Sequence, residues 1–167
     1  MLAFERTLPN TPGLESAFGQ AMREIGVSAE IIHASDSEIR SLPRNSLRSL
    51  YGSWGKPSAI LCASHREAVF VLCMALELAI QIPEQLSIIS CDDCAFFSST
   101  KPSLTSLRIA TDDLRERMKS LLKRPLERTS AQTEIETQKI ALQLVVRNST
   151  GAAAQMISKL SRGLPHF

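Results

Sequence analysis

The residues of this 167-residue chain whose types could do chemistry gather in two short stretches, each directly behind an apolar run. Asp92 and Asp93 follow Leu86-Ser87-Ile88-Ile89-Ser90, while Ser64 and His65 follow Ala59-Ile60-Leu61-Cys62. An ionised carboxylate offers two oxygens that accept hydrogen bonds without needing donors of their own, which suits ligand hydroxyls. The plainer reading of the acidic pair is a turn or cap. Ser64 with Glu67 has the spacing of a capping box, which explains the serine without a ligand and coexists with one. His65 falls in the first turn of the helix so begun, and no recognisable nucleophile partners it for base catalysis. Cys91 and Cys94 have the spacing of a redox or zinc half-site, but zinc wants four ligands and there is no second pair. Asn148-Ser149-Thr150 matches the glycosylation sequon, which matters only in a secreted protein. Arg115, Arg117, Lys119, Lys123 and Arg124 alternate with Glu116 and leucines, the pattern of a solvated helix face. With no phosphate-binding glycine loop, GxSxG elbow or HExxH helix, we expect no catalytic residues, no metal and no cofactor.

The elements that must position these residues alternate in type. Leu14, Ala17, Phe18, Ala21, Met22 and Ile25 recur at helical spacing with Gly26 directly after, predicting a helix closed by a glycine cap. Ala29 to Ile32 is strand-like, and Ser35 with Glu38 predicts a capped helix that Pro43 interrupts. The glycines and proline of Tyr51 to Pro57 predict a loop, followed by a buried strand over Ala59 to Cys62. From Ser64 to Leu78 the chain is nearly all apolar, predicting a helix buried on most faces. Strands are expected over Leu86 to Ser90, Leu104 to Ile109 and Ile140 to Val146, with a helix begun by Thr111-Asp112-Asp113 and a polar loop over 124–139. Such alternation predicts an α/β fold with a parallel sheet through Ile60, Ile88 and Leu107, and ligands in such sheets bind beyond the carboxyl ends of the strands. Those ends deliver Ser64-His65 and Asp92-Asp93.

Composition narrows the class. A hydrophobic content of 44% over this length supports a real core, and a net charge of +2 gives no electrostatic footprint for nucleic acid. The apolar run from Ala68 stops at Glu77 and the first residues lack a secretory core, which together predict a cytoplasmic protein with no membrane contact. Cys62, Cys73, Cys91 and Cys94 all lie in or beside apolar segments, as reduced, buried thiols do.

Four segments in order resemble the lactose-repressor/galactose-repressor family of transcription regulators. Lys56-Pro57-Ser58-Ala59-Ile60-Leu61-Cys62-Ala63-Ser64 is similar to that family's R-P-T-A-I-F-x-A-N, and Ile82-Pro83-Glu84-Gln85-Leu86-Ser87-Ile88-Ile89-Ser90-Cys91-Asp92-Asp93 to its V-P-E-D-V-S-V-V-G-F-D-D. Lys101 to Leu107 resembles P-P-L-T-T-V-R, and Leu144 to Thr150 the closing L-V-V-R-E-S-T. Leu14 to Gly26 is more weakly similar to G-F-R-R-A-L-x-E-A-G. The chain departs from the pattern at Ser64, where the family has Asn, at His65, where it has Asp, and at Ser90, where it has Gly. Around Gly13-Leu14 small or apolar residues stand where the family places an arginine.

The resemblance implies a periplasmic-binding-protein-like lobe of type I, with residues 13–103 as the core of the second lobe. Residues 104–139 would cross to an absent or incomplete first lobe, 140–150 would be the final strand and 151–167 a tail. It implies an effector-sensing, dimerising module of a sugar-responsive repressor, with Asp92, Ser64 and His65 at a small carbohydrate or related metabolite. Homodimer contacts are expected at Val69, Phe96, Ser99 and Thr100. DNA would be reached only through a helix-turn-helix head that nothing in these residues resembles. The alternatives are a periplasmic-type sugar-binding fragment and a truncated remnant that binds nothing.

Overall fold

A computed structural model describes residues 2–4, 11–34, 47–122 and 139–152 of the chain. Six strands form one sheet: β1 (Leu2–Phe4), β2 (Ile32–Ala34), β3 (Ala59–Cys62), β4 (Ser87–Ser90), β5 (Thr105–Ile109) and β6 (Leu142–Val145). Their order is β2-β1-β3-β4-β5-β6, parallel throughout except for β6, which runs antiparallel to β5. Four helices connect them: α1 (Thr11–Glu24), α2 (Leu47–Ser53), α3 (His65–Glu77) and α4 (Thr111–Leu122), with a 3-10 turn at Ala95–Ser98. The expected α/β class and the parallel run through Ile60, Ile88 and Leu107 are both present. Ile60 pairs with Ile88 and Cys62 with Ser90, so the carboxyl ends of β3 and β4 stop level with one another.

The core lies on one face of the sheet. Strand side chains alternate between faces, and Ile60, Cys62 and Ile88 all point under α3, which buries Ala68, Val71, Leu72, Met74 and Ala75 against them. Each such aliphatic side chain taken fully out of water contributes about 1.5–3 kcal/mol, which fixes α3 on this face. Phe97, fully buried in the 3-10 turn, closes the core beside Leu86 and Leu104. Helix α3, expected to be buried on most faces, has one open side: Cys73 is exposed and Leu76 is 59% exposed. Cys73 therefore also departs from the buried thiols expected, whereas Cys62 is fully buried.

Two other expectations are corrected. The strand placed at Ala29 to Ile32 lies at Ile32–Ala34, because its register is set by pairing Leu2 with Ile32 and Phe4 with Ala34. That partner, β1, was not legible as a strand in a segment of three residues. The loop expected from Tyr51 is helical as far as Ser53, since Leu47, Leu50, Tyr51 and Trp54 recur at helical spacing and all pack on the core, outweighing Gly52. Gly55, at φ 71°, supplies the left-handed residue that stops the helix. The glycine cap of α1 is as expected: Gly26 has φ 66°, its N–H reaches Arg23 O, and Val27 N–H reaches Met22 O, the paired bonds of a Schellman stop. The Ser35/Glu38 box, Pro43, the polar stretch 123–138 and residues 153–167 lie outside the described residues.

The other sheet face is only partly covered. Leu14 and Phe18 of α1 pack on Leu61 and Ala63, but beyond β3 the cover thins. Ile109, Leu142 and Leu144 are 46%, 53% and 57% exposed, and α4 buries none of its residues, with Met118 and Leu121 largely open. Strand β5, expected to lead towards another lobe, lies in the same sheet beside β4. The cross-strand pairs Leu107 with Leu144 and Ile109 with Leu142 place these apolar residues on one common face.

Candidate functional site

The carboxyl ends of β3 and β4 are tied together by the Cys91 N–H bonding to Cys62 O at 2.8 Å. From the first end the chain turns through Ala63 and Ser64 into α3, and from the second through Cys91 and Asp92 towards the 3-10 turn. Ser64 is the N-cap of α3 with extended backbone, as its spacing from Glu67 predicted. Its hydroxyl accepts from Arg66 N–H at 3.3 Å and donates to the Glu67 carboxylate. Ser64 is 2% exposed and Glu67 fully buried, so the serine hydroxyl is engaged by the helix cap. Ser64→Ala should lower the unfolding free energy by about 1–2 kcal/mol, since the cap and a partner of a buried carboxylate go together. Urea unfolding reads this directly, and a loss below about 0.3 kcal/mol would contradict the capping role.

His65 and Asp92 do meet. His65 Nδ1 lies 2.7 Å from Asp92 Oδ2, and Ser90 Oγ donates to Asp92 Oδ1 at 2.8 Å. Ser90 also receives the Asp92 N–H at 3.4 Å. The carboxylate is thus pinned on both sides yet remains 38% exposed, with His65 at 47%. Each oxygen has spent one bond and can accept another. Ser90, the residue that holds Asp92 from below, stood out in the sequence only as a departure from the family pattern; its position two residues before the aspartate was the available signal.

Asp93 does different work. Ser106 Oγ donates to its Oδ1 at 2.6 Å, Arg108 Nε to Oδ2 at 2.7 Å and an Arg147 terminal nitrogen to Oδ1 at 3.0 Å. Arg147 in turn donates to Leu104 O at 2.5 Å and Ser106 Oγ at 2.8 Å. Asp93 and Arg147 are each 12% exposed. The pair therefore locks β4, β5 and the segment after β6, and its carboxylate has no open side for a ligand. Beside it Ser149, fully buried, donates to Ile88 O at 2.6 Å and accepts Thr105 N–H at 2.8 Å, bridging β4 and β5. The sequon hydroxyls are structural: Thr150 Oγ1 lies 3.0 Å from Thr105 Oγ1.

Burial pushes the Asp93 carboxyl up, but the bonds from Ser106, Arg108 and Arg147, with the Arg147 charge, outweigh it and hold the group below its ordinary value of 3.8. A depressed carboxyl contributes stability that is complete above its ordinary value and is lost as pH falls through the folded one. The contribution of Asp93 to the unfolding free energy should therefore be full and independent of pH above about pH 5 and drop below about pH 4. Comparing wild type with Asp93→Asn by urea unfolding across this range should show the steeper acid loss in the wild type; parallel curves would contradict it.

Burial pushes the Cys91 thiol up to about 11, which leaves it an unreactive thiol rather than a nucleophile or ligand. Among the described residues no three His, Cys, Asp or Glu side chains gather as a metal would require. A cavity of about 670 Å³ lies between α1 and the sheet, lined by Phe18, Met22, Trp54, Leu61, Ile89 and Leu107 among others, and neither Asp92 nor His65 lines it. Its lining is mostly apolar, with Ser28, Glu30 and Ser58 among it. The expected dimer residues scatter in role. Val69 is half-buried against the core, Thr100 donates inward to Phe97 O and Pro102 O, and Phe96 at 44% and Ser99 are exposed.

A parallel sheet whose carboxyl edge carries a pinned, open carboxylate is the arrangement of a ligand-binding lobe, and comparison with known proteins decides which. The sequence pattern of the periplasmic binding protein-like domain matches residues 1–150. The chain belongs to that family. No curated protein sequence matches it. Among solved structures, a sugar-binding LacI-family transcriptional regulator from Escherichia coli, complexed with phosphate, superposes with a TM-score of 0.66 at 20% identity, over 89% of this chain and 54% of its own. A LacI-family regulator from Bifidobacterium animalis gives 0.68 at 22%, over 92% and 55%. A periplasmic binding protein/LacI transcriptional regulator from Alkaliphilus metalliredigens, complexed with D-xylulofuranose, gives 0.68 at 18%, over 90% and 56%. This periplasmic-binding-protein-like chain therefore shares the fold of LacI-family regulators and spans about half the length of each. No helix among the described residues is long and apolar enough to cross a membrane.

Proposed function

We propose that the chain is the effector-binding and dimerising part of a sugar-responsive transcriptional regulator of the LacI type, working in the cytoplasm. The observation that carries this reading is the Asp92 carboxylate, held by Ser90 and His65 at the carboxyl edge of β3 and β4 and still open to solvent. A small carbohydrate would give its hydroxyl protons to Asp92, with His65 as the neighbouring contact and Ser64 holding the helix that carries it. Residues 13–103 form the second lobe in this reading, and the uncovered apolar face of α4 and β6 is where further protein would pack. DNA contact belongs to a domain outside these residues, since the net charge is only +2.

The test is a titration of the chain with pentoses and hexoses, D-xylulose included, followed by calorimetry and by amide NMR. A sugar that perturbs residues 63–66 and 90–93 supports the reading; silence across the panel supports the second reading, a remnant that binds nothing, which the uncovered apolar surface favours. Dimerisation, with Phe96 and Ser99 as the exposed candidates beside Val69 and Thr100, is tested by sedimentation. A dimer weakened by Phe96→Ser is expected, and a clean monomer at high concentration would contradict it.

A further inference from the structure

The contact between His65 and Asp92 has a direction. A carboxylate has no proton to give, so at 2.7 Å from Asp92 Oδ2 the His65 Nδ1 must be the donor. The second oxygen is already supplied by Ser90 Oγ at 2.8 Å, which keeps the carboxylate turned so that Oδ2 faces the ring. A neutral imidazole has one N–H, and once that proton sits on Nδ1 the other nitrogen, Nε2, is a bare acceptor. Among the described residues Nε2 meets no partner, and the side chain is 47% exposed at the open edge of the sheet.

We infer that Asp92 fixes the neutral His65 ring in its Nδ1–H form, so that the rim of the site is an all-acceptor edge selecting uncharged or amino sugars and turning away sugar acids. The inference rests on the sugar reading above and names the class of ligand within it. A hydroxyl or ammonium group can donate both to an Asp92 oxygen and to His65 Nε2. The carboxylate of a uronic acid has only lone pairs to set against two acceptors, one of them charged, and an acceptor left facing an acceptor loses a bond on both sides. His65 is thus a specificity-determining residue whose effect depends on a proton placed by its neighbour.

The experiment is long-range ¹H–¹⁵N NMR of the imidazole ring of the full chain, titrated to the plateau where the ring is neutral. There Nδ1 should carry the proton and Nε2 show the shift of an unprotonated nitrogen. Asp92→Ala should return the ring to the Nε2–H form that an unpartnered imidazole favours, and Asp92→Asn serves if the alanine variant fails to fold. An Nε2–H ring in the wild type, or an unchanged ring in both variants, overturns the inference. On the same plateau D-glucose, D-galactose and D-mannose are compared with their uronates and 2-amino derivatives. At least one neutral or amino sugar should move the Nε2 resonance at a concentration tenfold lower than its uronate. A uronate that binds as well as its parent overturns the ligand class while leaving sugar binding intact. Silence from every sugar overturns the sugar reading and the ligand class with it, and the ring spectrum then decides the tautomer alone.

Discussion

Asp93→Ala lowers the unfolding free energy by about 2–4 kcal/mol, because it leaves the Arg147 guanidinium, only 12% exposed, without its counter-charge. The two strands and the closing segment that meet at this pair gain their mutual orientation from it: Ser106 and Leu104 on the β5 side, Asp93 after β4, Arg147 after β6. A partly buried pair is costly to break and much less costly to replace whole. The double variant Asp93→Ala/Arg147→Met should therefore lose clearly less than the sum of the two single losses, with a coupling of about 1–3 kcal/mol. Urea unfolding of the four proteins measures it. Additive losses would show that the two side chains act independently and that the network does not hold the strands together.

Asp92→Ala, one residue away, has a different profile. Its carboxylate touches His65, which is half exposed, and the hydroxyl of the buried Ser90, and no buried cation depends on it. Stability should fall by about 1–2 kcal/mol, because the exposed contact to His65 is worth little while the buried Ser90 hydroxyl loses its acceptor, and this is less than the loss at Asp93. Sugar affinity should fall by about 10- to 100-fold, the loss of a charge-assisted hydrogen bond worth about 1.5–3 kcal/mol. A cap or turn role for Asp92 predicts the stability loss and no separate loss of affinity. The adjacent aspartates therefore give a matched comparison, with Asp93→Ala moving stability first and Asp92→Ala moving binding first.

The sequence made the helices and the buried strands legible where apolar spacing was long and unambiguous, as in α1 with its Gly26 stop and in the β3–α3–β4 unit. It failed where the signal was tertiary. β1 has only three residues and is a strand because β2 and β3 flank it, while α2 contains Gly52 and is a helix because Leu47, Leu50, Tyr51 and Trp54 all find the core. The pairing of Asp92 with His65 spans 27 residues and that of Asp93 with Arg147 spans 54, so neither could be read from local pattern. The resemblance singles out Asp92 over its neighbour Asp93, and the strands around them supply a physical difference between the two: Asp93 is tied to Arg108 and Arg147, whereas Asp92 keeps an exposed side. Ser64 shows the converse: the capping box explains it fully, and only the family resemblance places it at a ligand.

The central claim, that a sugar binds at the carboxyl edge of β3 and β4 through Asp92, is tested most directly by mapping amide shifts of the wild-type chain and Asp92→Ala in the same sugar titration. The account predicts that shifts in the wild type centre on His65 and residues 90–92 and disappear, or need at least about tenfold more sugar, in the variant. Shifts that centre instead on Phe18, Leu61 and Ile89 around the apolar cavity, or that survive unchanged in Asp92→Ala, would contradict it.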